Sequence, residues 1–313
     1  MRLSIHSNKY VTIFFVLVLA LPAASAVGQE IRTPFVASDP AVVARMVKLA
    51  GLQDGSTIVD LGSGDGRIVL EAVRTNPRVL GWGVDIDAKL VEGSNAVAAE
   101  QGLSGRARFF QRNAFDADLR KVDVIFLWLL PELQRLLRTK ILAEARPGTR
   151  VVAHYTDMGS WAPDEKVEES GRPIRMWLVP AKAAGNWAWT LMIAGKRQTY
   201  AAVLEQQFQN LEGSIRVGDQ RTVLREMTLR GADIAFRLPL THPKLGYIGH
   251  EFNGKIVGAR GERIEGKVRV TRATQDKSGG YESLELPWHA VRSARSAYFA
   301  PTGLPEFPPS LPD

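Results

Sequence analysis

A short glycine-rich segment constrains the fold of this chain more than any other part of its sequence. Residues 58–67 read Ile-Val-Asp-Leu-Gly-Ser-Gly-Asp-Gly-Arg. Their apolar start predicts a buried strand, and the spacing that follows predicts a helix from Arg67 to Thr75. Glycines at alternate positions let the backbone approach a ligand without Cβ clashes, and a helix N-terminus presents N–H donors. The segment therefore predicts a ligand-binding turn at the carboxyl end of a strand.

Acidic residues around this turn narrow the class of ligand. Asp60 lies in the strand, where a carboxylate can anchor a cationic amino group. Asp65 lies in the turn and would repel a pyrophosphate, which disfavours a dinucleotide. Asp85 ends the next predicted strand and is placed to accept both hydroxyls of a ribose. An adenosine that carries a cationic amino acid and no phosphate fits these positions, and S-adenosylmethionine is such a ligand.

Helix-like and strand-like segments alternate from Pro40 to Gly195. This alternation predicts an α/β fold with a parallel sheet and helices on both faces. The last two segments, Arg175 to Val179 and Trp187 to Ile193, are too close together for a crossover helix and predict an antiparallel hairpin. After Lys196, short strands and glycine turns predict a small antiparallel β-rich domain, either barrel-like or sandwich-like.

A weak repeat lies within this β-rich region. Arg-Gly-Ala-Asp-Ile at 230–234 recurs as Arg-Gly-Glu-Arg-Ile at 260–264, and each copy predicts a tight turn that enters a strand. Further glycines predict successive turns or bends of an antiparallel meander. They are Gly249, Gly254, Gly258, Gly261 and Gly266.

Several motifs together resemble a known family. Residues 60–67 resemble motif I of the class I S-adenosylmethionine-dependent methyltransferases, and residues 83–87 resemble their acidic second motif. Residues 34–40, 128–131 and 147–154 resemble the branch that contains the mitochondrial lysine methyltransferases of the ATP synthase c subunit and the adenine nucleotide translocase. The resemblance runs from about Thr33 to Trp189. It implies a Rossmann-like sheet, S-adenosyl-L-methionine as cofactor and protein-lysine N-methylation.

The resemblance also assigns the cofactor-binding residues. Asp60 and the loop glycines would shape the methionine end of the pocket, Asp85 would hold the ribose, and Ile86 would pack on the adenine. Asn113 stands where the family usually has an aspartate, and its amide oxygen can accept the same hydrogen bond from the adenine amino group. The predicted set is Phe35, Val36, Asp60, Gly62, Ser63, Gly64, Asp65, Gly66, Asp85, Ile86, Asn113, Ala114 and Leu127.

Trp128, Pro131 and His154 are the predicted catalytic residues on the acceptor side. Methyl transfer is an in-line displacement at a sulfonium carbon, so the protein has to align a nucleophile and exclude water. Trp128 would hold a lysine amine by a cation–π contact. His154 is either catalytic or a histidine that satisfies loop carbonyls. Tyr155 and Asp157 would face the same crevice.

The remaining aromatic and histidine residues predict no further site. No metal site is predicted, because three histidines lack the spacing of metal ligands and are expected at the surface or in turns. They are His242, His250 and His289. Four tryptophans are expected in the core, namely Trp161, Trp177, Trp187 and Trp189. Residues 127–131 lack the Asn/Asp-Pro-Pro-Tyr pattern of many base and amide methyltransferases, so no nucleic-acid partner is predicted.

The N-terminal segment predicts export. Arg2 and Lys9 lie at the start of the chain, an apolar run follows at 11–21, and the run ends before Ala-Ser-Ala at 24–26. These features indicate a secretory signal peptide, with an uncleaved membrane anchor as the alternative. Both place the rest of the chain outside the cytoplasm, in a periplasmic or secreted location. The chain has no cysteine, which excludes disulfides, thiolate zinc sites and a cysteine nucleophile.

The predicted organisation is a signal peptide at 1–26, a methyltransferase domain at 27–195, a β-rich accessory domain at 196–300 and a proline-rich tail at 301–313. The formal charge of +7 divides into +2 in residues 1–26, +1 in residues 27–195 and +4 in residues 196–313, so the cofactor domain is nearly neutral. The basic β-rich region could face an anionic membrane surface.

The acceptor and the assembly state stay open in the sequence. A protein or a small molecule can be the methyl acceptor, and the oligomeric state is not predicted. Two alternatives to a lysine methyltransferase also stay open. One is a non-catalytic envelope binding protein with a relic cofactor fold, and the other is a small-molecule methyltransferase.

Overall fold

The computed structural model describes residues 37–242, 246–274 and 280–294. These residues belong to one compact unit. The predicted signal peptide, Phe35, Val36 and the proline-rich tail lie outside the described residues. Among the residues described, no helix is both long enough and apolar enough to span a membrane.

The first half of the chain alternates helices and strands, as the sequence predicts. The helices are α1 (Pro40–Ala50), α2 (Arg67–Thr75), α3 (Ala88–Glu100) and α4 (Pro131–Glu144), with a short 3₁₀ helix at Ala114–Asp116. The strands are β1 (Thr57–Leu61), β2 (Leu80–Asp85), β3 (Ala107–Gln111), β4 (Val124–Leu127), β5 (Arg150–His154), β6 (Glu165–Glu169) and β7 (Arg172–Leu178). Local signals set several boundaries: the Asp39 carboxylate caps α1, and Asp87 caps α3.

These seven strands form one mixed sheet in the order β3-β2-β1-β4-β5-β7-β6. The first five are parallel, and the chain reverses its strand order between β1 and β4. Successive residues of β1 point to opposite faces, so Ile58 packs with α1, α2 and α3 while Val59 packs with α4. Helices cover both faces, which confirms the predicted Rossmann-like architecture.

An antiparallel hairpin closes one edge of this sheet, but its strands differ from those predicted. β6 and β7 pair with each other, and β7 pairs with β5. The predicted pairing of 175–179 with 187–193 is wrong, because the second segment belongs to β8 (Gly185–Ile193) in a separate sheet. The second sheet therefore begins at Gly185, ahead of the predicted domain boundary.

The second sheet has nine antiparallel strands in the order β11-β10-β9-β8-β16-β15-β14-β13-β12. After β8 its strands are β9 (Lys196–Gln207), β10 (Asn210–Val217), β11 (Gln220–Val223), β12 (Arg225–Arg230), β13 (Asp233–His242), β14 (Gly246–Val257), β15 (Arg263–Ala273) and β16 (Tyr281–Ala294). The sheet curves until β10 also contacts β12. Between β11 and β12, the Leu224 N–H donates to the Gly213 carbonyl of β10 at 2.9 Å. The β-rich domain is thus a nearly closed barrel.

Aromatic side chains fill the barrel. Trp189 stacks on Tyr200 with ring centroids 5.3 Å apart, and Phe252 and Trp288 meet at 4.9 Å. His250 lies in the same interior, where its Nε2 is 3.0 Å from the Tyr200 hydroxyl. The expectation that His250 is a surface or turn residue is therefore wrong. The four tryptophans expected in the core are all buried, and His289 is exposed.

Glycines mark the turns of the repeat and one close contact inside the barrel. Gly231 and Gly261 have φ values of 60° and 64° in the turns before β13 and β15, which confirms the predicted pair of turns. Gly254 and Gly266 instead face each other across β14 and β15. A Cβ on Gly266 would lie inside contact distance of the Asn253 carbonyl oxygen, so this crossing requires glycine.

The barrel packs against the domain of the seven-stranded sheet through backbone and aromatic contacts. The Ala181 N–H donates to the Gly231 carbonyl at 2.7 Å, and Gln209 Nε2 donates to the Ala162 carbonyl at 2.7 Å. Phe208 stacks on Trp161 with centroids 6.0 Å apart, and the Arg138 guanidinium lies 5.4 Å from its ring centroid. None of these contacts involves the carboxyl ends of β1 and β2, which border the turn described next.

Candidate active site

The predicted turn connects β1 to α2 and depends on its glycines. Gly62, Gly64 and Gly66 have φ values of 86°, 53° and 78°, a region that other residues rarely adopt. A Cβ on Gly62 would stand 2.5 Å from Leu129 Cδ2, and one on Gly66 would stand 2.6 Å from the Phe109 ring. The loop is therefore held close to its neighbours, and a side chain at either position would displace them.

Five backbone N–H groups of this loop already have acceptors inside the protein. Gly62 and Ser63 donate to the Val84 carbonyl at 2.9 Å. The others are Gly64 donating to Asp85, Gly66 to the Ser63 carbonyl, and Arg67 to Asp65. A loop that cradles phosphate needs such donors free, so this loop favours a nucleoside ligand without phosphate.

Asp65 forms an ion pair with Arg67. Arg67 Nε donates to both Asp65 oxygens at 2.9 and 3.0 Å, and its guanidinium also binds the Ser38 carbonyl. This pairing raises the pKa of Arg67. The ion pair with Arg67 weakens the predicted repulsion between Asp65 and a pyrophosphate. The occupied N–H groups disfavour phosphate independently.

Asp85 links the loop to β2 and keeps acceptor capacity. Its Oδ2 accepts from the Gly64 N–H at 2.8 Å, and its Oδ1 accepts from the Asp87 N–H at 3.0 Å. A carboxylate offers about four lone-pair positions, so both oxygens can still accept ribose hydroxyls. Because Asp85 ends the strand beside β1, its position suits the ribose predicted there.

Asp60 is the most unusual group of the site. It is 2% exposed, and its Oδ1 has no hydrogen-bond partner in the described structure. Burial, followed by the negative charges of Asp85 and Asp65, raises the pKa of Asp60 well above its ordinary value. A buried carboxylate with an open oxygen is costly unless a cation or donor approaches it. The cationic amino group of S-adenosylmethionine would supply both, and the Ser63 hydroxyl nearby is also buried without a partner.

The adenine side is formed by the ends of β2 and β3. Asn113 follows β3 at the same edge of the sheet, where its Oδ1 accepts from the Phe115 N–H at 3.0 Å. The oxygen has a second lone pair for an adenine amino group, so the assignment of Asn113 stays a prediction. Ile86 follows Asp85, Ala114 begins the 3₁₀ helix, and Leu127 is fully buried at the end of β4.

The predicted catalytic residues lie at the ends of the next two strands. Trp128 follows β4, His154 ends β5, and their ring centroids are 5.1 Å apart with an interplanar angle of 53°. His154 is fully buried, and neither ring nitrogen has a partner in the described structure. The simpler expectation, that His154 satisfies loop carbonyls, is therefore wrong. Pro131 is the first residue of α4, where its fixed φ suits a helix start.

The electrostatic environment keeps His154 neutral. Burial, together with the positive charge of Arg172, lowers the pKa of the His154 imidazole. A neutral imidazole has one nitrogen that accepts a hydrogen bond or a proton. The residue can therefore act as an acceptor at neutral pH.

Several residues of the site were not found from the sequence. Gly83 lies so close to the loop that a Cβ there would be 2.5 Å from Ser63 Cβ. The buried Ser94 hydroxyl of α3 donates to the Gly64 carbonyl at 3.0 Å. Gln134 of α4 is fully buried, accepts from the Thr156 hydroxyl and leaves its Nε2 without a partner. Polar residues on the inner faces of α3 and α4 were the available signal.

Within the described ranges, no group of three or more histidine or acidic residues could hold a metal ion.

Comparison with known proteins identifies the family. The model of the ANTKMT methyltransferase domain matches residues 60–165. A protein-lysine N-methyltransferase of Saccharolobus islandicus is 33% identical over 149 residues, which cover 47% of this chain and 92% of the relative. The chain belongs to this methyltransferase family. The human lysine N-methyltransferase of the ATP synthase c subunit is 27% identical over 50% of this chain and 66% of its own length.

One solved structure is also similar in sequence. An RNA methyltransferase from Salinibacter ruber, in complex with S-adenosyl-L-homocysteine, is 40% identical with a TM-score of 0.45. The match covers 46% of this chain and 94% of that one. These similarities leave about half of this chain unmatched.

S-adenosylmethionine is the cofactor of this methyltransferase, and the residues of the site fit it. Asp60 offers an open buried oxygen to its ammonium group, Asp85 offers acceptor positions to its ribose, and the loop glycines allow close approach. When bound, the cofactor supplies an electrophilic methyl group on a sulfonium. The chain's own residues have to bind it, hold the acceptor and exclude water.

Proposed function

We propose that this methyltransferase acts on protein lysine. The observation that carries the proposal is the pairing of Trp128 with a neutral, unpartnered His154 beside the cofactor loop. β4 lies next to β1, and β5 lies next to β4, so this pair stands at the strand ends that the cofactor motifs leave free. The names of the archaeal and human relatives point to the same acceptor class.

The pair suits an amine that arrives as a cation and reacts as a neutral nucleophile. The face of the Trp128 ring attracts an ammonium group. The lysine must lose a proton to solvent before its nitrogen can attack, and a ring nitrogen of His154 can then accept a hydrogen bond from the neutral amine. Because burial lowers the pKa of His154, this acceptor stays available at neutral pH and is lost as the solution becomes acidic.

A labelled-methyl transfer assay tests the acceptor class. The protein is incubated with methyl-labelled S-adenosylmethionine and, separately, with envelope proteins, soluble proteins, RNA and a small-molecule extract. Label recovered as methyl-lysine after acid hydrolysis of the protein fractions is the expected result. Label confined to RNA or to small molecules would overturn the proposal.

An Asp85 variant distinguishes methyl transfer by this protein from transfer by a contaminating enzyme. Asp85→Ala removes the acceptor of the Gly64 N–H and of the predicted ribose contact. It should lose both binding of S-adenosylmethionine and transfer of label. A wild-type protein that binds S-adenosylmethionine but transfers no label to any fraction would favour the non-catalytic binding protein instead.

We also propose that the protein works outside the cytoplasm, in the periplasm or at the outer face of a membrane. Support comes from the charged start, the apolar run at 11–21 and the small residues at 24–26. Cell fractionation followed by N-terminal sequencing tests this proposal. A mature chain that begins at Val27 in the periplasmic fraction is expected, and a cytoplasmic chain that retains residues 1–26 would contradict it.

A further inference from the structure

The backbone at Tyr155 adopts a strained turn directly after β5. Tyr155 has a φ of 67°, and the Thr156 N–H donates to the His154 carbonyl at 2.8 Å. A hydrogen bond between residues two apart, around a residue of positive φ, defines the rarer of the two γ-turns. For a bulky residue this conformation is unfavourable. Local preference therefore does not explain the turn.

Neighbouring groups from two elements hold the turn. The Tyr155 N–H donates to the Pro173 carbonyl of β7 at 2.8 Å. Arg175 Nη1, also of β7, donates to the carbonyls of Tyr155 and Thr156 at 2.8 and 3.1 Å. The Thr156 hydroxyl donates to Gln134 of α4. β7 and α4 thus fix a conformation that the tyrosine alone would avoid.

The side chain gains nothing in the core from this arrangement. Tyr155 is 65% exposed, although the residue before it, His154, is fully buried. The ring lies at the carboxyl edge of the sheet, one residue from the pair of Trp128 and His154. Backbone strain that is not accompanied by burial of the side chain is typical of residues that contact a ligand.

We propose that Tyr155 is a specificity-determining residue that contacts the acceptor lysine. This inference rests on the proposed function and deepens it. The cofactor motifs occupy the ends of β1 and β2, so an acceptor has to approach over β4 and β5, where Tyr155 stands. An exposed aromatic ring can cover the apolar stem of a lysine and attract its ammonium group, and the hydroxyl can bond the amine.

Replacement by glycine separates this role from a structural one. Tyr155→Gly removes the ring and also relieves the positive φ. We expect the apparent KM for envelope protein acceptors to rise by about tenfold, in line with loss of a cation–π contact. The Kd of S-adenosylmethionine should stay within about twofold of wild type, and the free energy of unfolding should not fall, because glycine tolerates this backbone.

Two further variants complete the test. Tyr155→Phe keeps the ring, so its KM for the acceptor should stay close to the wild-type value. Ala194→Gly relieves another positive φ, of 49°, in the barrel and should leave the KM unchanged. If Tyr155→Gly only stabilises the protein and leaves the KM at the wild-type value, the inference is overturned while the lysine methyltransferase stands. If the wild type labels no lysine, the proposed function itself fails, and this inference fails with it.

Discussion

Gly66 offers a direct test of how the cofactor loop is built, because the chain provides a matched control. Gly66 and Gly55 have nearly the same φ, 78° and 81°. A Cβ on Gly55 meets nothing within 4 Å, whereas one on Gly66 would stand 2.6 and 2.8 Å from two atoms of the Phe109 ring and 3.0 Å from Ser94 Cβ. Alanine at both positions therefore separates backbone strain from steric displacement.

The expected magnitudes follow from these contacts. Gly55→Ala should lower the free energy of unfolding by about 1–2 kcal/mol, the cost of a left-handed conformation for an alanine. Gly66→Ala adds an overpacking cost of about 1–3 kcal/mol, so its total loss should reach about 2–5 kcal/mol. It also pushes α3 and β3 away from the loop, which should weaken cofactor binding by about tenfold for each 1.4 kcal/mol of strain.

Two measurements check this prediction. Denaturant unfolding followed by far-ultraviolet circular dichroism reports the methyltransferase half, because the described α-helices all lie there. Calorimetry with S-adenosylhomocysteine measures the affinity of the loop for the cofactor product. Equal losses of stability for the two variants, or unchanged cofactor affinity in Gly66→Ala, would refute the view that the loop is fixed by contact with Phe109 and Ser94.

Three more predictions concern His250, Gly266 and Asp60. Burial lowers the pKa of His250 from 6.5 to about 4, so the unfolded chain binds more protons than the folded protein between these pH values. The free energy of unfolding should therefore fall by about 3 kcal/mol as the pH drops from 6.5 to 4. His250→Gln should flatten this pH dependence in urea titrations. Gly266→Ala should destabilise the barrel strongly, as seen in its thermal midpoint, because the new methyl group meets the Asn253 carbonyl. Burial raises the pKa of Asp60, so the free energy of unfolding of the cofactor-free protein should fall as the pH rises through that pKa. Asp60→Asn should remove this pH dependence and weaken cofactor binding. A variant with wild-type cofactor affinity would contradict the role of the carboxylate.

Local sequence signals predicted the methyltransferase sheet well. α2 has the predicted bounds, because its periodic segment begins directly after the glycine loop. β6 was missed because Glu165–Glu169 is an edge strand with no buried residue and hence no apolar alternation. β8 was assigned to the wrong sheet. It forms a hairpin with β9 across the two-residue turn at 194–195, and only its other partner, β16, comes from far along the chain.

The site could be predicted in part. The motif spacing was enough to predict that the loop glycines, Asp60 and Asp85 lie together at the ends of β1 and β2. Which side chains of the site pair with each other does not follow from spacing, so the ion pair of Asp65 with Arg67 was not predicted. The available signal for His250 was its position two residues from both Ile248 and Phe252, which places all three on one strand face. The left-handed backbone of Tyr155 has no such signal, because it depends on bonds from β7.

The most direct test of the account is single-turnover methyl transfer from labelled S-adenosylmethionine, measured for the wild type and for Asp60→Asn with envelope proteins as acceptors. The account predicts that wild-type protein forms methyl-lysine and that Asp60→Asn forms it much more slowly, with the difference reduced at high cofactor concentration because the carboxylate acts in cofactor binding. Wild-type protein that binds the cofactor and forms no methyl-lysine would contradict the account.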